Sequence, residues 1–193
     1  MKVHDTGFWE CDNISFEYHK HDAPLASSLS TLLKQLSMKT AIDFGCGYGM
    51  YANTLEQHDI RCDCYDGNPH TPMLTDNKCG VLDLSVAFDL HKTYDCVISL
   101  EVGEHIPATF ENIFIDNLIR HTNKWIIISW ALPHQGGHGH VNEQPNEYIE
   151  EKFRDLGFTR MKEYEIILRD SAQWWWFKNT IMIFKLSEAK HDV

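Results

Sequence analysis

Residues 40–50, Thr40-Ala-Ile-Asp-Phe-Gly-Cys-Gly-Tyr-Gly-Met50, decide the fold of this 193-residue chain. The first five make a short apolar run of the kind found in buried strands, and the run stops at glycines. Tyr48 to His58 then reads as a helix. Glycines at a strand-to-helix turn let a ligand lie against bare backbone, which a side chain would block. A nicotinamide-type loop, G-x-G-x-x-G, needs its third glycine at position 50, where Met50 stands, so hydride transfer is disfavoured.

Outward from this turn, strands and helices alternate. Upstream, Leu25, Leu29, Leu32, Leu33 and Leu36 form one apolar stripe at helical spacing. Downstream, strands are predicted over 60–65, at a short run ending near Leu82, over 94–100 and over 125–130. A helix after Pro107 carries Phe110, Phe114 and Leu118. Another, from about Pro145 to Gly157, carries Ile149, Phe153 and Leu156. Glu163 to Leu168 and Thr180 to Leu186 read as two closing β segments. The pattern specifies an α/β protein: a Rossmann-like three-layer α/β/α sandwich, mostly parallel, with an antiparallel C-terminal edge pair. One domain is expected over 1–193, with 1–37 as an N-terminal lead-in and helix and 38–193 as the core.

Hydrophobic residues make up 43% of the chain and charged residues 23%, values of an ordinary globular domain that argue against disorder. The net charge of −11 and the scattering of 17 basic residues disfavour long nucleic acid and anionic membranes as partners. The longest apolar stretch, around Trp125 to Leu132, is too short to span a bilayer. The start, Met1 to Gly7, carries no apolar signal-peptide region, so a cytoplasmic location is expected. Cys11, Cys46, Cys62, Cys64, Cys79 and Cys96 form no C-x-x-C pair and are expected as reduced, buried thiols.

Three further elements follow the glycine loop. Asp66 lies 21 residues after Gly45, at the end of the second strand, where a carboxylate can accept both hydroxyls of a ribose. The blander alternative makes Asp66-Gly67-Asn68-Pro69 a simple turn. Val81-Leu-Asp-Leu-Ser85 follows the third strand, with Asp83 either a ligand group or a helix cap. Tyr94-Asp-Cys-Val-Ile-Ser-Leu-Glu-Val-Gly-Glu-His-Ile-Pro107 continues the fourth strand past its end.

Asp43 with G-x-G-x-G resembles motif I of the class I S-adenosylmethionine-dependent methyltransferases. All four elements, in order over residues 39–186, are similar to that superfamily, nearest its ubiquinone-biosynthesis O-methyltransferase-like branch. The resemblance implies S-adenosylmethionine held by Asp43, Gly45, Cys46, Gly47, Gly49, Asp66, Gly67, Asn68, Asp83, Leu84, Leu100 and Glu101. Asp83 and Leu84 would read the adenine, and Leu100 and Glu101 would border the methionine part. Phe8, Trp9, Tyr18 and His19 stand where such enzymes often place a lid.

Glu101, Glu104 and His105 fall at i, i+3 and i+4, one face of a helix starting near 101. Two carboxylates and an imidazole suit Mg²⁺, Mn²⁺ or Zn²⁺. The spacing resembles metal motifs of that O-methyltransferase branch and of small-RNA 2′-O-methyltransferases, in which a later His completes the site. The loop Pro133-His-Gln-Gly-Gly-His-Gly-His-Val-Asn142 offers His140. Alternatively, the carboxylates favour a helix N-terminus and His105 only packs. Without metal, His105 or His140 would act as general base. Trp174-Trp-Trp-Phe177 is read as buried packing in preference to a substrate platform. The expected function is methyl transfer to oxygen, secondarily nitrogen, of a small-molecule acceptor. RNA 2′-O-methylation and a non-catalytic cofactor-binding partner subunit are the alternatives.

Overall fold

The computed structural model describes residues 1–15 and 19–187; the lid candidate Tyr18 lies outside them. The chain opens with an antiparallel ribbon, β1 (Lys2–Val3) and β2 (Trp9–Glu10). Helix α1 (Ala23–Gln35) starts at Asp22, whose Oδ1 accepts the Leu25 N–H at 3.0 Å, and Pro24 occupies its first turn. Leu25, Leu29, Leu32 and Leu33 of the predicted stripe are its buried face, and Leu36, just past its end, is partly buried.

Among the described residues, seven strands make the main sheet: β3 (Thr40–Phe44), β4 (Arg61–Asp66), β5 (Gly80–Val81), β6 (Tyr94–Leu100), β7 (Thr122–Ser129), β8 (Phe158–Arg160) and β9 (Met182–Leu186). Their spatial order is β5-β4-β3-β6-β7-β9-β8. The five from β5 to β7 are parallel, and β9 runs antiparallel between β7 and β8. The predicted edge pair is therefore present, but its partners are β8 and β9.

Glu163 to Leu168, expected as a strand, lies in helix α6 (Lys162–Ser171). Ile166 and Ile167 gave it a β-like composition, yet both are exposed. Glu165 and Leu168, three residues apart on one helical face, are the buried positions. Arg160 fastens that face by donating to both Glu165 oxygens, at 2.7 and 2.9 Å.

The remaining helices are α2 (Met50–Gln57), α3 (Thr71–Leu74), α4 (Glu111–Arg120), α5 (Asn146–Asp155) and α7 (Trp175–Thr180). Two apolar clusters, one on each side of the sheet, make the three layers. One joins leucines of α1 to Ala52 and Leu55 of α2, Leu168 of α6 and Phe177 of α7. The other joins Phe114, Ile115 and Leu118 of α4 to Ile149 and Phe153 of α5. Strands sandwiched in this way read as unbroken apolar runs, which is why β3, β6 and β7 are plain in the sequence.

From β3 the chain winds one way through β4 and β5, then returns to β6 on the other side of β3. A crevice opens outside the carboxyl ends of strands where the winding reverses. A correction concerns the cysteines: Cys64 and Cys79 are joined in a disulfide, while Cys11, Cys46, Cys62 and Cys96 are free. Among the described residues no helix is long and apolar enough to cross a membrane.

Candidate active site

A cavity of about 430 Å³ occupies that crevice. Asp43, Gly45, Cys46, Gly47, Asp66, Gly67, Asp83, Leu84, Leu100, Glu101, Glu104, His105 and His140 all line it, so widely spaced motifs converge on one space. Gly49 and Asn68, expected among the ligand contacts, do not. Gly49 packs against sulfur behind the loop. Asn68 turns its amide to the N-terminal segment, donating to the Cys11 carbonyl at 2.8 Å.

Gly45 shows why the first glycine is needed. Its φ is +81°, and a Cβ there would stand 2.3 Å from Val102 Cγ2. The turn is pinned to β4 by the Gly45 N–H donating to the Tyr65 carbonyl at 2.8 Å. Asp66 closes it from the side: Oδ2 accepts the Gly47 N–H at 2.8 Å and Oδ1 the Asn68 N–H at 2.9 Å. Asp43 is buried beneath, and among the described residues nothing hydrogen-bonds its Oδ2. Burial, with the neighbouring Asp66 charge, pushes its pKa up to about 7.

The N-terminal segment lies along this end of the cavity. Thr6 Oγ1 donates to Asp83 Oδ2 at 2.9 Å, and the Ser15 N–H donates to the Tyr48 hydroxyl at 2.9 Å. Phe8 covers Gly67 so closely that a Cβ on the glycine would meet the ring. Trp9 stands edge-on to His19 and His105, each with ring centroids 5.0 Å apart.

At the end of β6 lies the carboxylate–imidazole group, but not on one helical face as expected. Glu101 takes a left-handed backbone, φ 56°, directly after the strand, and Gly103–His105 form a 3₁₀ turn. A non-glycine residue held there costs of order 1–3 kcal/mol, and such strain gathers at functional sites. The Glu101 carboxylate accepts from Gln135 Nε2 at 3.2 Å and Thr180 Oγ1 at 3.3 Å. Glu104 is fully buried, and among the described residues neither of its oxygens has a hydrogen-bond partner. Burial raises its pKa well above the ordinary carboxylate range, and the nearby Glu101 charge raises it further.

Ligand atoms of Glu104, His105 and His140 lie within 4.8 Å of one another. His105 Nδ1 faces the Gly139 carbonyl at 3.2 Å, so it carries the proton and Nε2 the lone pair. Burial lowers the His105 pKa to about 4 and keeps the ring neutral. His140 pairs Nδ1 with Glu143 Oε1 at 3.0 Å and directs Nε2 at Glu104 Oε1, 4.0 Å away. A carboxylate behind the imidazole of a metal ligand is a common arrangement, since it fixes the tautomer. Glu143, Gln135 and Thr180 were not singled out from sequence. Gln135 adjoins the His/Gly-rich loop signal and Glu143 follows it, whereas nothing marked Thr180.

The tryptophan run is only partly packing. Trp174 and Trp176 stack at 5.1 Å, and Phe177 is buried, but Trp175 is 55% exposed and lines the cavity with Trp176 and Phe177. Asp22 Oδ2 holds the segment by accepting the N–H groups of Gln173 and Trp174.

The sequence matches no family model and no curated protein. Solved structures do resemble it. A magnesium protoporphyrin IX methyltransferase (ChlM) from Synechocystis PCC 6803 with bound SAH aligns at TM-score 0.63 and 18% identity, over 84% of this chain and 82% of that one. The sugar N-methyltransferase KedS8 from Streptoalloteichus sp ATCC 53650 aligns at TM-score 0.71 and 14% identity, over 97% and 99%. The methyltransferase domain of bacterial CtHen1-C aligns at 0.59 and 16%, over 84% and 97%. The chain has the Rossmann-like fold of the S-adenosylmethionine-dependent methyltransferases.

Proposed function

We propose that the protein is an S-adenosylmethionine-dependent methyltransferase that methylates an oxygen, secondarily a nitrogen, of a small molecule with the help of a divalent cation. One observation carries the reading: a single cavity joins a bare glycine loop and its carboxylate partners to a buried Glu/His cluster. The fold shared with a methyltransferase structure that contains SAH supports it.

The residues present fit both groups. Asp43 offers a buried, unpartnered carboxyl oxygen to a cationic ligand, and Asp66 stands beside the loop where a ribose would be held. Asp83 and Leu84 line the nucleoside end. Glu104, His105 and His140, with Glu101 adjoining, supply two carboxylates and two imidazoles, a donor set suited to Mg²⁺, Mn²⁺ or Zn²⁺. The Glu104 oxygens, buried without a hydrogen-bond partner among the described residues, support this reading, because a cation would offset the cost of ionising a buried carboxyl.

Bound S-adenosylmethionine supplies a sulfonium methyl group whose leaving group is already good. A cation at the cluster supplies a lowered pKa for the acceptor hydroxyl. This chain's residues then orient and seal. Gln135 and Thr180 hold Glu101, Glu143 holds His140, and Trp9, Trp175 and Trp176 wall the cavity against water. Within the single domain, residues 1–37 supply the lid segment and the helix α1 that follows it. Metal-free base catalysis is the second reading, and the His140–Glu143 pair favours it by orienting an imidazole toward the cavity. His105, held neutral down to about pH 4, is too weak a base to share that role.

Two measurements test the proposal. Calorimetry should show S-adenosylhomocysteine binding at micromolar level; tight NAD binding with none for the nucleoside thioether overturns it. Elemental analysis of wild type and His105→Ala, purified without chelator, should find a divalent ion only in wild type. No ion in either, and no rate response to Mg²⁺, Mn²⁺ or Zn²⁺, leaves His140 as base.

A further inference from the structure

Behind the glycine loop lies a second cluster of reactive side chains that methyl transfer does not use. The sulfur atoms of Cys46, Cys64 and Cys79 lie within 4.8 Å of one another, and all three residues are buried. The Cys64–Cys79 disulfide joins β4, two residues before Asp66, to the residue just ahead of β5. Cys46 is a free thiol and is the member of the three that lines the cavity. Gly49 rests on this sulfur: its φ is +67°, and a Cβ there would stand 2.7 Å from Cys79 Sγ. The loop that bares its backbone on one side is thus backed by sulfur on the other.

We infer that Cys46, Cys64 and Cys79 form a thiol–disulfide exchange site beneath the glycine loop, reached through the cavity by small thiols of the glutathione class. Cys64 and Cys79 are 3% and 2% exposed, so an external thiol has no direct line to their bond. Cys46 is the internal relay. Its thiolate attacks the sulfur of Cys64 or Cys79; the S–S bond between them breaks, and the expelled sulfur leaves as a thiolate that takes up the proton Cys46 gave. The new disulfide ties the loop to the sheet. An external thiol then attacks the Cys46 sulfur and releases the other cysteine as a thiol. A second external thiol frees Cys46 and departs as a small-molecule disulfide. In sum, two external thiols are oxidised and one protein disulfide is reduced.

Burial and the carboxylates of Asp66 and Asp43 push the Cys46 thiol up, so little thiolate is present and the relay is slow, which suits a gated exchange. A ligand seated on the loop covers Cys46, so cofactor binding and exchange exclude each other. That coupling rests on the function proposed above; the exchange itself does not.

The test equilibrates the full-length protein with mixtures of reduced and oxidised glutathione, quenches by alkylation and maps peptides by mass spectrometry. Expected are a linked Cys64–Cys79 pair in oxidising mixtures and alkylated Cys64 and Cys79 in reducing ones. Cys46→Ser should slow the conversion at least tenfold, and saturating S-adenosylhomocysteine should slow it comparably in wild type. Full alkylation of all three at every ratio overturns the inference. So does equal conversion with and without Cys46, or one zinc per chain protecting three thiols. Should Cys46→Ser fail to fold, the glutathione adduct trapped in wild type decides: on Cys46 it supports the relay, on Cys64 or Cys79 it refutes it. Successful exchange without any S-adenosylhomocysteine binding would sink only the cofactor reading.

Discussion

Asp43 lies buried beneath the glycine loop, beside the charge of Asp66. With its pKa at about 7, it keeps its proton in the folded state while the unfolded chain releases it near 3.8. The folded state therefore binds the extra proton, and the contribution of Asp43 to stability is full below about pH 4 and is lost as pH rises through 7. The full loss is about 4 kcal/mol. Asp43→Asn should flatten that slope in urea melts of ligand-free protein; an unchanged slope removes Asp43 as its source. A cationic ligand favours the ionised carboxyl, so binding of S-adenosylmethionine, a sulfonium, at pH 6.5 should release a proton, read as buffer-dependent calorimetric heat and absent in Asp43→Asn. Asp66→Ala should weaken the same ligand about 10- to 100-fold, since charge-assisted hydrogen bonds contribute roughly 1.5–3 kcal/mol; unchanged affinity takes Asp66 out of the site. Both aspartates were legible because strand ends and glycine spacing fix where such side chains fall. Asn68 was not, because its amide answers to Cys11, a residue 57 positions away whose proximity no local pattern shows.

At the scale of elements, Glu104 and His105 of the Glu-x-x-Glu-His spacing meet His140, while Glu101 stands outside that group and the expected helix is absent from 101–105. What brings the groups together is a left-handed Glu101 and a short 3₁₀ turn, and the sequence has no marker for a strained non-glycine residue. The β-like reading of α6 failed for a related reason: short apolar runs do not separate strand from helix, and the buried Arg160–Glu165 pair that settles the matter is tertiary. The loop from His134 to Glu143 shows how an irregular element gains precision. Glu143 accepts the N–H groups of His134 and Gly136, at 2.7 and 2.8 Å, as well as pairing with His140. It folds the loop and aims the imidazole in one arrangement. Glu143→Gln, read by Mn²⁺ titration under electron paramagnetic resonance, should lower metal affinity about 10- to 100-fold, the usual effect of losing such a support. Equal affinity in wild type and variant would mean that His140 needs no orienting partner.

For the whole molecule, the order of strands explains why one crevice collects all the candidate groups but Gly49 and Asn68. Winding reverses between β3 and β6, so the ends of β3, β4 and β6 face the same space, and the antiparallel β9 begins beside that edge, two residues after Thr180. The core needs only this sheet and its two helical layers; the N-terminal ribbon contributes no residue to either buried cluster. Its contacts are instead with the site, through Thr6 to Asp83, Phe8 to Gly67 and Trp9 to His105. Removing residues 2–14 should therefore separate folding from binding. Apolar burial sets most of a domain's stability, so the truncated chain should melt within a few degrees of the full one. Ligand affinity should fall tenfold or more, because the segment that covers the nucleoside end is gone. Saturating S-adenosylhomocysteine at about 100 times its Kd stabilises a binding-competent fold by roughly 2.7 kcal/mol. At the same ligand concentration a tenfold weaker Kd leaves about half of that rise, so the truncated chain should show about half of it or less in calorimetry. A truncated chain that binds as tightly as the full one would make the ribbon mere decoration, and one that fails to fold would place it in the core after all.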